Sequence, residues 1–296
     1  MDFEKIDQDN KELKMSKEIL KTPAGESVEA LKFTPASKKS EVAVVIAPGW
    51  SATARVQAEN ARVLADAYGR ETWVLDSPHG VKTSADWETP EAEARKAEAL
   101  SAVTANLEKV DAVAHSEGAL YTTAAALKNP AKFRSLTFIA PAGLSSEDNF
   151  WGLSKRFVAD LVKQNQLKNK EIGRSQRIGI ATREGAKSIF KSLPKSLAEV
   201  RAIAETQIGD NLIKLRQAGV KTIIIHSVGD KAFPMEKMQA YVKKEMIDGF
   251  VSVGDTAETG EMADTHNAWY LTPEKYARAV GSLLETIEKN EKIRSS

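Results

Sequence analysis

The sequence predicts an α/β fold: a doubly wound, mostly parallel sheet with an inserted helical cap. Three observations carry that prediction. Short continuous apolar runs, EVAVVIA at Glu41–Ala47 above all, have the composition of parallel strands covered on both faces. Helix-length segments alternate with these runs, the pattern of helices laid on both sides of one sheet. Trp50, His79, Ser116 and Ala142 each follow a predicted strand, so all fall on the edge where such sheets bind ligands.

The elements follow in order. Residues 1–14 read as a solvated, charged arm. Glu18–Lys21 and Ser27–Phe33 flank Thr22-Pro23-Ala24-Gly25, a hairpin turn. The strand 41–47 ends at Pro48-Gly49-Trp50-Ser51. Arg55–Tyr68 then sets Val56, Ala61, Leu64, Ala65 and Tyr68 at helical spacing. Thr72–Leu75 is a short strand entering the turn Asp76–Gly80. Pro90 suits the first position of a helix running to about Leu107. Val110–Ala114 is a strand that meets His115-Ser116-Glu117-Gly118 and then an Ala- and Leu-rich helix. Ser135–Ala140 is the next strand, closed by Pro141-Ala142-Gly143.

From Leu144 to Gly219 no strand is predicted, and Trp151–Leu167, Gly185–Phe190 and Leu197–Ala218 read as helices. This excursion is the predicted cap, residues 144–219. The core is 1–143 and 220–296. Residues 151–219 hold 14 Lys/Arg against 6 Asp/Glu, an excess of +8, whereas the whole chain is +1. A basic cap suits an anionic substrate or an anionic membrane surface; its plain reading is solvated helix faces. Strand Val220–Ser227 follows, then the loop Val228–Pro234, helix Met235–Lys244 and strand Gly249–Val253. A polar loop, 255–264, leads to Thr265-His266-Asn267. Thr272 and Pro273 open a closing helix that reaches about Lys289.

Composition narrows the classes. The 296 residues suffice for one large α/β domain or two smaller ones. A net charge of +1 gives no field for nucleic acid. The absence of cysteine removes disulfides, thiolate metal sites and cysteine nucleophiles together. The charged N-terminus is unlike a signal peptide, and no apolar run nears the roughly 20 residues that span a bilayer. The expectation is a cytoplasmic protein without stable membrane insertion.

Residues 114–118, Ala-His-Ser-Glu-Gly, fit a nucleophile elbow, in which a strand turns sharply into a helix over a serine. The competing reading is a serine N-cap on an ordinary helix. In an elbow the Glu117 N–H, at a helix N-terminus, faces a developing oxyanion. A serine nucleophile needs a base, and the base needs an orienting acid. The sequence has four histidines. His115 directly precedes the serine and should point elsewhere. His79 shapes its own loop, and His226 sits among strand residues as a packed side chain. His266, in a late polar loop, is left as the base. Asp230, in a tight loop after the strand 220–227, is the orienter. Asp255, Asp264, Glu147 and Asp148 are its substitutes. The order Ser116, Asp230, His266 is that of the elbow-bearing folds.

These motifs resemble the α/β-hydrolase superfamily, capped serine hydrolases in particular, from about Ser16 to the closing helix. Ala114–Gly118 is similar to the family elbow, Val228–Pro234 to its acid loop, Thr265–Asn267 to its histidine loop and Asp76–Gly80 to a further turn. Pro48-Gly49-Trp50 stands where the family has His-Gly before its oxyanion residue, so the resemblance implies that Trp50 gives the second oxyanion N–H. It implies an esterase-like acyl transfer to water, with no metal or organic cofactor, on a small acyl substrate. Thioester, lactone and carbon–carbon hydrolysis and cofactor-free peroxidation use the same residues and stay open. So does a non-catalytic ligand-binding protein on the same scaffold.

Overall fold

The computed structural model describes residues 13–83, 86–145, 150–167, 172–254 and 265–295. Four of the alternative acids, Glu147, Asp148, Asp255 and Asp264, lie outside these residues. The strands are β1 (Lys14–Lys21), β2 (Ser27–Thr34), β3 (Ala43–Ala47), β4 (Thr72–Leu75), β5 (Val110–His115), β6 (Phe133–Ile139), β7 (Lys221–Ser227) and β8 (Gly249–Val253). They form one sheet in the order β1-β2-β4-β3-β5-β6-β7-β8. The hairpin β1–β2 and the pair β2–β4 are antiparallel; every other pair is parallel.

Helices cover both faces. They are α1 (Ala54–Tyr68), α2 (Glu91–Thr104), α3 (Gly118–Lys128), α4 (Phe150–Leu167), α5 (Ile172–Lys191), α6 (Leu193–Glu205), α7 (Gly209–Gln217), α8 (Met235–Tyr241), α9 (Ala268–Leu271) and α10 (Pro273–Ser295). Alternation along the strands divides the core. Ala112, Ala114, Leu136 and Phe138 pack with Leu100, Leu120 and Leu212 of α2, α3 and α7. Val113, Ile139 and Ile225 pack on the other face with Leu64, Trp269 and Val280 of α1, α9 and α10. Each Leu, Ile, Val and Phe among them contributes about 1.5–3 kcal/mol when fully buried. Both faces are therefore apolar, which is why the central strands read as unbroken hydrophobic runs.

Register positions the functional edge. Ala47 pairs with Ala114, Ala114 with Phe138, and Phe138 with Ile224. The loops after β3, β5, β6 and β7 thus emerge side by side. Several expected boundaries moved: α5 begins at Ile172 rather than Gly185, α8 ends at Tyr241 rather than Lys244, and α10 runs on to Ser295. Pro90 stands one residue before α2 in extended conformation, and its carbonyl accepts from the N–H groups of Glu93 and Ala94. The stretch 197–218 is two helices, because Thr206 turns extended after α6. The second of them, α7, buries Leu212 and Leu215 in the same core cluster as α3 and delivers the chain to β7. No helix among the described residues is long and apolar enough to cross a membrane.

Candidate active site

Ser116 sits at the turn between β5 and α3 with φ of 54°, in the left-handed region that side chains other than glycine rarely enter. Such a turn lifts the side chain off the end of its strand. The turn is held from below: Ser116 N–H donates to the Ile139 carbonyl at 3.0 Å, and Ala142 N–H donates to the Ser116 carbonyl at 3.1 Å. Gly118 is required here because a Cβ on it would overlap the Ala47 carbonyl oxygen. Gly118→Ala is therefore expected to destabilise by at least about 1–3 kcal/mol, as backbone cannot yield like a flexible side chain. A lowered urea midpoint at unchanged m-value would report it.

Three residues predicted far apart in sequence come together. His266 Nε2 is 2.9 Å from Ser116 Oγ, and His266 Nδ1 is 2.9 Å from Asp230 Oδ2. The carboxylate fixes the tautomer: Nδ1–H donates to Asp230, leaving Nε2 to accept from the serine hydroxyl. The other oxygen of Asp230 accepts from the N–H groups of Ala232 and Phe233, at 2.8 and 3.0 Å. Burial alone would drive His266 neutral, yet the charge and hydrogen bond of Asp230 hold it above the ordinary imidazole value. Burial pushes Asp230 up, but the facing His266 charge and hydrogen bond bring it below the usual carboxylate range. Phe157 and Phe233 each meet the imidazole at a steep angle, 88° and 62°, with ring centres 5.2 Å away.

The remaining histidines divide as follows. His226 is packed, its Nε2 donating to the Phe233 carbonyl at 2.8 Å. His79 reaches past its own loop: its two ring nitrogens lie 2.9 Å from Glu199 Oε1 on α6 and 2.9 Å from the Ser188 carbonyl on α5. His115 does not point away from the site. It projects to the sheet face that carries α9, as Val113 does, and its ring centre is 5.0 Å from that of His266. Its Nε2 donates to the His266 carbonyl at 3.0 Å, and burial, with the neighbouring His266, depresses its pKa to about 3. His115 is thus a neutral prop for the His266 loop.

Sequence reasoning missed Asp160 and Gln164, both on α4. Asp160 is 1% exposed, and its two carboxylate oxygens each lie 3.2 Å from the His266 backbone N. Gln164 donates to Asp160 at 2.5 Å and accepts from Asn267 Nδ2 at 3.2 Å. The available signal was composition: Asp160 is the sole acid in 150–167, beside Lys155, Arg156 and Lys163.

A second missed feature lies behind the elbow. Glu117 is wholly buried and receives Lys96 Nζ from α2 at 2.6 Å; Glu199 lies 3.5 Å from the same ammonium. Burial pushes Lys96 down, but Glu117, Glu199 and Glu93 together hold it above its ordinary value. Among the described residues, both oxygens of the buried Glu93 and one of Glu117 lack a donor. Burial, followed by the charge of Glu117, holds Glu93 well above the ordinary range, and burial raises Glu117 to about 7. Tyr121 Oη donates to the Pro48 carbonyl at 2.6 Å, fixing the loop that carries Trp50.

Ser116 and His266 open onto a cavity of about 300 Å³. Its floor is Gly49, Trp50 and His115; its roof is Phe157 and Leu161 of α4 with Ala181, Gly185 and Ile189 of α5. No Lys, Arg, Asp or Glu lines it among the described residues.

No protein-family model matches the chain, and no curated protein sequence does. Solved structures do resemble it. A membrane phospholipase A, described as a bacterial virulence factor, superposes with a TM-score of 0.66 at 14% identity, over 93% of this chain and 87% of that one. A bromoperoxidase from Bacillus anthracis gives 0.63 at 14%, over 91% and 100%. A thermophilic esterase from Thermogutta terrifontis gives 0.62 at 15%, over 92% and 99%. With the strand order and the doubly covered sheet, these likenesses show that the chain has the α/β-hydrolase fold.

Proposed function

We propose that this protein is a serine hydrolase that transfers a neutral, apolar acyl group to water. One observation carries the reading: an unbroken hydrogen-bonded line from the Asp230 carboxylate through His266 to the Ser116 hydroxyl, 2.9 Å at each step, ending in an apolar cavity. In this reading His266 takes the Ser116 proton as the oxygen attacks an ester carbonyl. Asp230 stabilises the resulting imidazolium. The N–H groups of Glu117 and Trp50 receive the oxyanion; neither donates to an acceptor among the described residues. His266 then protonates the leaving alcohol, and later activates water to free the acid. Helices α4, α5 and α6 serve as the cap that roofs the cavity, and α7 belongs to the core.

The cavity favours an uncharged acyl chain, because a buried ion there would find no partner. The basic excess of 151–219 then lies outside the acyl site. A fluorophosphonate probe is expected to label Ser116, and p-nitrophenyl butanoate to be hydrolysed. No adduct, with turnover no faster than that of Ser116→Ala, would instead make this a binding protein. Thioesters, lactones and carbon–carbon substrates are assayed in the same panel.

The α5 wall should set acyl length. A Cβ on Gly185 would come within 3.1 Å of Ser51 Oγ, so there is no spare space across the cavity at that point. Gly185→Leu or Ala181→Leu is expected to lower kcat/KM for an octanoyl ester about tenfold or more, and to leave the acetyl ester unchanged. Steady-state kinetics on esters of graded acyl length measure this.

A further inference from the structure

We propose that Asp160 is a positioning residue: from α4 it holds the backbone of His266, and so keeps the imidazole in line between Asp230 and Ser116. The inference rests on the hydrolytic reading above. The contacts are specific. The His266 N–H faces both Asp160 oxygens at 3.2 Å, and the Lys231 N–H approaches Oδ1 at 3.5 Å. One carboxylate therefore joins the loop that supplies the base to the loop that supplies the acid. Gln164, one turn further along α4, adds a strut through Asn267, the residue after His266. Arg156, one turn before Asp160, donates from Nε to the Ala232 carbonyl at 2.9 Å.

A carboxylate is costly to bury, and burial does raise the Asp160 pKa. The groups around it are donors: two backbone N–H groups and the Gln164 amide. An acceptor with two oxygens is what this arrangement requires. α4 also carries Phe157, whose ring lies perpendicular to the same imidazole with centres 5.2 Å apart. The excursion between β6 and β7 thus contributes directly to the geometry of the reacting groups, besides roofing the cavity.

The effect should be large because both imidazole contacts depend on where the ring sits. A misplacement of 1 Å can cost about 10²-fold in rate. In Asp160→Ala, kcat is expected to fall by about 10²-fold with KM within about twofold of the wild type. Asp160→Asn, which keeps one acceptor for the His266 N–H and stays isosteric, should lose less.

Among the described residues, the charged and titratable groups set around His266 and its two carboxylates are Asp230 from the β7–α8 loop, His226 on β7, His115 on β5, Asp160 and Arg156 on α4, and Tyr270 on α9. Only the Asp160 charge is removed. That charge favours the imidazolium, so the acid limb of the kcat/KM profile should move to lower pH in both variants. An Asp160→Ala kcat within about twofold of wild type overturns the proposal. So does a fall in kcat with the acid limb unmoved in both variants, the result for a residue that only supports the fold. NMR titration of the His266 imidazole in a Ser116→Ala background reads the same downward shift without turnover. If wild-type protein neither hydrolyses esters nor takes the probe, the hydrolytic reading fails alone, and an unmoved NMR titration still decides against Asp160.

Discussion

Ser116→Ala is expected to lower kcat on p-nitrophenyl butanoate by about 10⁶-fold, to the rate left by binding and oxyanion stabilisation alone. The loss is this large because, among the described residues, the Ser116 hydroxyl is the nucleophile placed on His266 Nε2, at 2.9 Å. His266→Ala should cost a similar amount, and the double variant little more, since the two act as one unit. Asp230→Asn should cost less in geometry but leave the wrong tautomer on His266, as Nδ1 would lose its acceptor. The pH dependence has a definite sign. His266 must be neutral to take a proton, and Asp230 holds it above the ordinary value of 6.5. Activity should therefore rise with pH through a midpoint above 6.5 and be lost on acidification through it. Stopped-flow kinetics with each purified variant, across pH, measure both effects.

Lys96→Met should give the largest loss of stability, about 3–5 kcal/mol, as expected when one partner of a buried ion pair is removed. Its ammonium is paired with both Glu117 and Glu199, the latter also held by His79 Nδ1 at 2.9 Å, and Lys96, Glu93, Glu117 and Glu199 are all buried. Without it, Glu117 must ionise in apolar surroundings or bind a proton, while Glu199 keeps its contact with His79. Burial already raises Glu117 from 4.5 to about 7, so the folded state holds a proton that the unfolded state releases between those values. A folded pKa above the unfolded one means stability falls as pH rises through that window. The deficit of Lys96→Met should be greatest near neutral pH and narrow toward 4.5. Adding Glu117→Gln should recover part of it, since one uncompensated charge is then gone. Urea titrations at pH values on both sides of the window test this.

Much of the site was legible in the sequence. Ser116 stood between a strand and a helix, flanked by Ala114 and Gly118, and small flanking residues are what a close strand–helix crossing demands. His266 and Asp230 lay in loops after strands, where a side chain is free to reach the sheet edge. His115 was misjudged because adjacency in sequence says nothing of what packs on each sheet face; α9 comes from more than a hundred residues later in the chain. Asp160 and Glu199 were illegible for a related reason. On a helix, one buried acid looks like any solvated one until its neighbours from other elements are known.

The sequence by itself determined the α/β layering, the elbow and the order of the three candidate residues, because these depend on local periodicity and turn chemistry. Only the tertiary structure decided which helix faces the imidazole, which buried charges neutralise one another and how wide the acyl cavity is. Those properties arise from contacts between elements far apart in the chain, such as Asp160 with His266 and Lys96 with Glu117 and Glu199. Periodicity along a single segment carries no record of them.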